Sequence, residues 1–125
     1  MHTFKKTGLL TARKHLLFCL GPDCCQAEQG QLLWAYAKKR IAALRLPVLR
    51  TKAGCFRICC EGPWLVIYPD GVWYSRMTPE RLERILHEHV MHNRPVSEWV
   101  SAVNPMTHSL PGAVPENVSP SLGEQ

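Results

Sequence analysis

The sequence contains no apolar run near the ~18–20 residues needed to cross a bilayer. Its first stretch, Met1 to Lys14, has too few apolar residues, too often interrupted, to form the core of a signal peptide. A soluble, cytoplasmic protein with no membrane association is therefore expected. A Gly-rich phosphate loop, a Ser-His-Asp arrangement and a paired-carboxylate signature are all missing. No enzyme chemistry is expected from such a chain. Acidic residues are also scarce: 10 Asp and Glu stand against 15 Lys and Arg, a net charge of +5. That balance favours acidic partners, nucleic acid or anionic lipid. No recognisable nucleic-acid motif accompanies it, so nucleic acid is not the expected partner.

What the chain does have is cysteine. Six in a secreted chain would suggest three disulfides, but in a reducing cytosol they suggest metal or redox chemistry. They fall into two groups, Cys19, Cys24 and Cys25, then Cys55, Cys59 and Cys60. The Cys-x-x-Cys of thiol–disulfide enzymes is absent.

The pattern between the cysteines gives the architecture. His15 to Cys19 is a short apolar run stopped by Gly21-Pro22, and it reads as a buried strand. From Gln26 to Leu44 the period becomes helical, with Leu33, Ala37, Ile41 and Leu44 in one stripe. Lys38, Lys39 and Arg40 are expected to suit this helix's negative end. A second strand follows Pro47, at Val48 to Thr51. Strand, helix and strand imply a parallel pair with a right-handed crossover. Trp64 to Tyr68 reads as a third strand, Pro69-Asp70-Gly71 as a hairpin, and Val72 to Tyr74 as the returning strand. Thr78-Pro79-Glu80 opens a last helix whose inner face is Leu82, Ile85, Leu86, His89 and Val90. The expected fold is α/β and thioredoxin-like: β-α-β, then β-β-α, around a mixed four-stranded sheet. Residues 1–13 read as a basic flexible arm, 14–100 as the folded domain, and 101–125 as a Pro-rich disordered tail.

Each cysteine group lies in the loop after a strand. If those strands are parallel, both loops emerge at one end of the sheet. A 2Fe–2S cluster needs four thiolates, two on each iron, and two loops each giving a pair meet that need. Four residues separate Cys19 from Cys24 and three separate Cys55 from Cys59, whereas zinc knuckles more often use two. A C4 zinc site in a structural or interaction domain, or plain thiols, stay open on spacing alone. Cluster storage or redox sensing through Cys25 or Cys60 is a further alternative.

Cys19-Leu-Gly-Pro-Asp-Cys24, Cys55-Phe-Arg-Ile-Cys59-Cys60-Glu-Gly62-Pro63 and Tyr68-Pro69-Asp-Gly71-Val-Trp73-Tyr74, in that order, resemble the thioredoxin-like 2Fe–2S ferredoxins. They are also similar to the cluster-binding small subunit of respiratory complex I. The continuation from Thr78-Pro79-Glu80 to Glu88-His89, and Arg94-Pro95-Val96, looks like the ferredoxin branch. The resemblance covers about Lys14 to Val100. It implies a one-electron carrier and a homodimer with one 2Fe–2S cluster per chain. Carried over by position, the cluster ligands are Cys19, Cys24, Cys55 and Cys59, with Cys25 and Cys60 as adjacent competitors. Gly21, Gly54 and Gly62 are expected to let backbone pass close to sulfur, and Arg57 to add positive charge or face solvent. The positive end of the helix after Cys25 is expected to favour the cluster's negative charge. The redox partner is expected to present an acidic docking face. His87, His89 and His92 are read as ordinary residues of a helix end, and Trp34, Trp64, Trp73 and Trp99 as packing or dimer-contact residues.

Overall fold

β1 (Lys14–Cys19) and β2 (Val48–Ala53) pair in parallel, Lys14 opposite Val48 and Cys19 opposite Ala53. The computed structural model describes residues 9–22, 24–58 and 60–105. α1 (Ala27–Leu44) is the crossover between the two strands. β3 (Trp64–Tyr68) runs antiparallel to β1, and β4 (Val72–Tyr74) antiparallel to β3. The hairpin between them closes through the Gly71 N–H, which donates to the Ile67 carbonyl at 2.7 Å. α2 (Pro79–Ile85) begins at Thr78, whose hydroxyl accepts from the Arg81 N–H at 3.1 Å. It continues into a π-helical segment, Leu86–Met91.

The register decides which side chains make the core. Leu16 stands opposite Ile67, Phe18 opposite Leu65, Leu65 opposite Tyr74, and Ile67 opposite Val72. These six share one face of the sheet, because successive strand residues alternate sides. All are buried, packed with Leu33, Ala37 and Ile41 of α1 and with Leu82, Ile85 and Leu86. Each fully buried Leu or Ile contributes roughly 2 kcal/mol of transfer free energy.

Two expectations change. The sheet has five strands, in the order β2-β1-β3-β4-β5, because Val100–Val103 forms β5 against β4. The folded chain thus runs past the expected limit at Val100. β5 has three exposed residues out of four, so no apolar alternation announces it. Backbone pairing recruits it instead, and the Asn104 N–H adds a bond to the Gly71 carbonyl at 2.7 Å. The rest of the expected tail, 106–125, and residues 1–8 of the expected arm lie outside the described residues.

The second change concerns Arg40. α1 runs on to Leu44, and its last turn carries no base. Arg40 instead reaches α2, donating to both Glu83 oxygens at 2.8 Å, and the Tyr36 hydroxyl donates to the same carboxylate at 2.8 Å. These bonds, Arg40's foremost, hold the Glu83 carboxyl at about 2. A two-pronged pair of this kind clamps one helix to the other.

His89 is fully buried. One ring nitrogen lies 2.6 Å from Asp70 Oδ2 and the other 2.8 Å from the Tyr74 hydroxyl. The Val96 N–H donates to that hydroxyl oxygen at 3.1 Å, and Lys14 Nζ donates to Asp70 at 2.7 Å. Asp70 can only accept, so neutral His89 with its proton on Nε2 satisfies every group. A second ring proton would face a hydroxyl that already receives a donor. Burial lowers the His89 pKa, outweighing Asp70, and raises that of Tyr74 to about 12. In the unfolded chain His89 takes a proton near pH ~6.5. Its contribution is therefore complete above that pH and is lost as pH falls below it. Denaturant unfolding at pH 7.5 and 5.5 should show a loss of stability in acid, and His89→Gln should remove that component.

Candidate metal centre

Cys19 is the last residue of β1. The alternation that sends Leu16 and Phe18 toward the helices sends Cys19 to the opposite face, where its strand partner is Trp64. Cys19 and Cys24 are both buried, with Sγ atoms 3.3 Å apart. Half-buried Cys25 places its Sγ 3.8 Å from that of Cys24. All three are free thiols. The parallel pairing brings the second loop to the same place: Cys19 Sγ lies 3.9 Å from the Gly54 carbonyl.

Backbone encloses the first-loop sulfurs closely. A Cβ on Gly62 would stand 2.5 Å from Cys24 Sγ, and the Gly62 N–H donates to the Cys24 carbonyl at 2.9 Å. Gly21 has φ +89°, and a Cβ there would stand 2.6 Å from the Cys25 carbonyl oxygen. Both positions therefore require glycine, as the sequence reading expects. Gly54 differs: nothing lies within 4 Å of a Cβ built on it.

Cys55 is exposed, and its Sγ accepts from the Arg57 N–H at 3.1 Å. Arg57 holds φ 69°, so it contributes to the Cys55 sulfur through its backbone, while the residue itself is exposed. Cys59, the fourth expected ligand, lies outside the described residues. Exposed Cys60 accepts at its carbonyl from Trp64 Nε1 at 2.8 Å.

The surroundings are apolar. Phe56, Ile58, Trp64 and Trp73 pack around Cys19, Cys24 and Cys25. Trp73 meets Trp64 and Phe56 edge-on, at 6.3 and 5.7 Å between ring centres. Burial pushes all three thiols up, while the amides of Phe56 and Gly21 work against the rise at Cys19. Such thiols hold their protons until a cation displaces them. α1 begins at Ala27, close behind Cys25, with the Gln26 N–H donating to Gln29 Oε1 at 3.1 Å.

The histidines do not converge on a metal. His89 is held by Asp70 and Tyr74, whereas His92 donates from Nδ1 to the His87 carbonyl at 2.8 Å. Among the described residues no group of three or more His, Cys, Asp or Glu is set to hold a metal ion. The apolar wall is the part that sequence reasoning missed. Trp64 was legible only as a packing residue, since its pairing with Cys19 depends on strand register.

Comparison with known proteins bears on this site. No family model matches the chain. A curated 2Fe–2S ferredoxin of Aquifex aeolicus (strain VF5) is 30% identical over 97 residues, spanning 70% of this chain and 87% of the relative. The chain belongs to the thioredoxin-like 2Fe–2S ferredoxins. A second ferredoxin relative, from Clostridium pasteurianum, is 28% identical over 94 residues, 66% of this chain and 89% of its own. The solved thioredoxin-like [2Fe–2S] ferredoxin from Aquifex aeolicus matches with TM-score 0.67 and 27% identity, over 78% of this chain and 99% of that one. The ferredoxin scaffold here is the sheet with α1 and α2, extended by β5.

Gly62→Ala should push Cys24 out of place, with a stability loss of roughly 1–3 kcal/mol. Denaturant unfolding of the metal-free chain checks this, and an unchanged midpoint would refute the close packing at this glycine.

Proposed function

We propose that this ferredoxin is a one-electron carrier that holds a single 2Fe–2S cluster on Cys19, Cys24, Cys55 and Cys59. The observation that carries the reading is the meeting of two cysteine loops at one end of a parallel strand pair, with two buried sulfurs 3.3 Å apart. The donor set fits the group. Soft sulfur ligands are what iron–sulfur centres take, and the Arg57 N–H aimed at Cys55 Sγ is the kind of bond that tunes them. When bound, the cluster supplies reversible uptake of one electron.

The chain's own residues do the rest. Backbone N–H groups offset negative charge at sulfur, and Gly21 and Gly62 admit the close approach. Phe56, Ile58, Trp64 and Trp73 limit water around the first-loop thiols. Cys25, 3.8 Å from Cys24 by sulfur, stands beside the ligand set without joining it.

The finer reading is that the chain performs no bond chemistry of its own, works in the cytoplasm, and pairs as a homodimer. Free thiols at all five described cysteines suit a reducing compartment. No helix among the described residues is long and apolar enough to cross a membrane. Its partner is a redox protein with an acidic docking face, matching the net charge of +5. The proposed domain is the body that begins at Lys14, between a basic arm and a Pro-rich tail.

Anaerobically purified protein should be red-brown, with about two irons and two sulfides per chain and an EPR signal only after one-electron reduction. Serine at Cys19, Cys24, Cys55 or Cys59 should each abolish or alter that spectrum. Serine at Cys25 or Cys60 should leave it unchanged. A colourless protein after anaerobic reconstitution would sink the reading.

A further inference from the structure

Among the described residues, two open grooves each have a volume of about 520 Å3. One lies by Leu9, His15 and Tyr68, at the start of β1, the strand end away from the cysteines. The other lies between α1 and β2 and reaches Gly21 and Pro22 of the first cysteine loop and Ala53 and Gly54 ahead of Cys55. Resting on the electron-carrier reading, we propose that this second groove is the docking surface for a redox partner protein, which enters it with an apolar side chain flanked by carboxylates.

Three observations carry the proposal. The groove's floor is apolar, with Leu20, Pro22, Ala27 and Ala35 beside the ring of Trp34. Its charged lining is Lys38 and Lys52, and no carboxylate lines it among the described residues. Cations also gather at its aromatic centre. Lys52 Nζ lies 5.6 Å and the Arg50 guanidinium 5.4 Å from the middle of the Trp34 ring, and Lys38, Arg50 and Lys52 are all exposed.

An occupant needs apolar surface for the floor and negative charge for the rim. Complementary rim charges speed encounter and fix orientation, while the apolar centre sets how long the complex lasts. The site also suits the reaction. Electron tunnelling falls steeply with distance, and this groove touches Leu20 next to Cys19, Gly54 next to Cys55, and Pro22 two residues before Cys24. A partner seated there approaches the cluster through loop backbone rather than across the domain.

The test uses the cluster-loaded full chain, reduced with dithionite and oxidised by hexacyanoferrate(III) in a stopped-flow instrument. The synthetic peptide Glu-Glu-Leu-Phe-Glu-Glu serves as the groove probe. It should slow oxidation severalfold, and roughly tenfold more peptide should be needed at high salt, since exposed charges are screened. The variant Lys38→Glu/Lys52→Glu should lose the peptide effect while keeping its visible and EPR spectra. No effect on the natural chain, or the same effect on the variant, would overturn the docking site and leave the carrier reading standing. So would a variant that falls from dimer to monomer in sedimentation while the natural chain ignores the peptide, because the groove would then be covered by a second copy. Colourless protein would overturn both.

Discussion

Parallel pairing of β1 with β2 is the constraint on which the site depends. Cys19 ends one strand and Ala53 the other, directly opposite in the ladder. The chain can return in this direction only through a crossover, and α1 supplies it. Were β2 reversed, the Cys55 loop would open at the far end of β1. A six-residue strand spans about 20 Å, too far for sulfurs from the two loops to share one small cluster. The helix stripe and the groove beside it follow from the same crossover.

The two faces of the sheet have different work. The face toward α1 and α2 carries Leu16, Phe18, Leu65, Ile67 and Tyr74, all fully buried, and there lies most of the apolar stabilisation. The other face, at its Cys19 end, carries the thiols and the aromatic wall of Trp64 and Trp73. Polar links tie the scaffold together. Arg40 and Tyr36 join α1 to α2 through Glu83, and Lys14, Asp70, His89 and Tyr74 join the start of β1 to the hairpin and the π-helical segment. Lys14 and Asp70 of this network stand at the end of β1 away from Cys19, and Tyr74 belongs to the core face of the sheet, opposite the face that carries Cys19.

The site sulfurs combine close approach with low polarity. Burial, first of all, pushes the thiols of Cys19, Cys24 and Cys25 up, and the neighbouring sulfurs add to the rise. Backbone amides work against that rise at Cys19, and the Arg57 N–H faces the Cys55 sulfur. The enclosing glycines explain why the loops read as Gly-Pro sequences: Gly21 and Gly62 leave no room for a side chain beside Cys25 and Cys24.

Much of this was legible in the sequence. Local rules set β1, α1, β3, the Pro69-Asp70-Gly71 hairpin and the Thr78 cap, because periodicity, turn chemistry and capping act within a few residues. Strand order then implied the crossover, and the crossover implied that the two cysteine loops meet. Other features depend on partners distant in the chain. β5 is held by backbone bonds that no side-chain pattern records, and Arg40 pairs with Glu83 across two helices. His89 looked like any helix histidine until Asp70 and Tyr74 closed on it. The sequence by itself determined most of the elements and the grouping of the cysteines into two loops, since both are written in local spacing. Only the tertiary structure decided which sulfurs touch, which tryptophans wall them and which groove opens beside them, because register and packing are properties of strands and helices taken together.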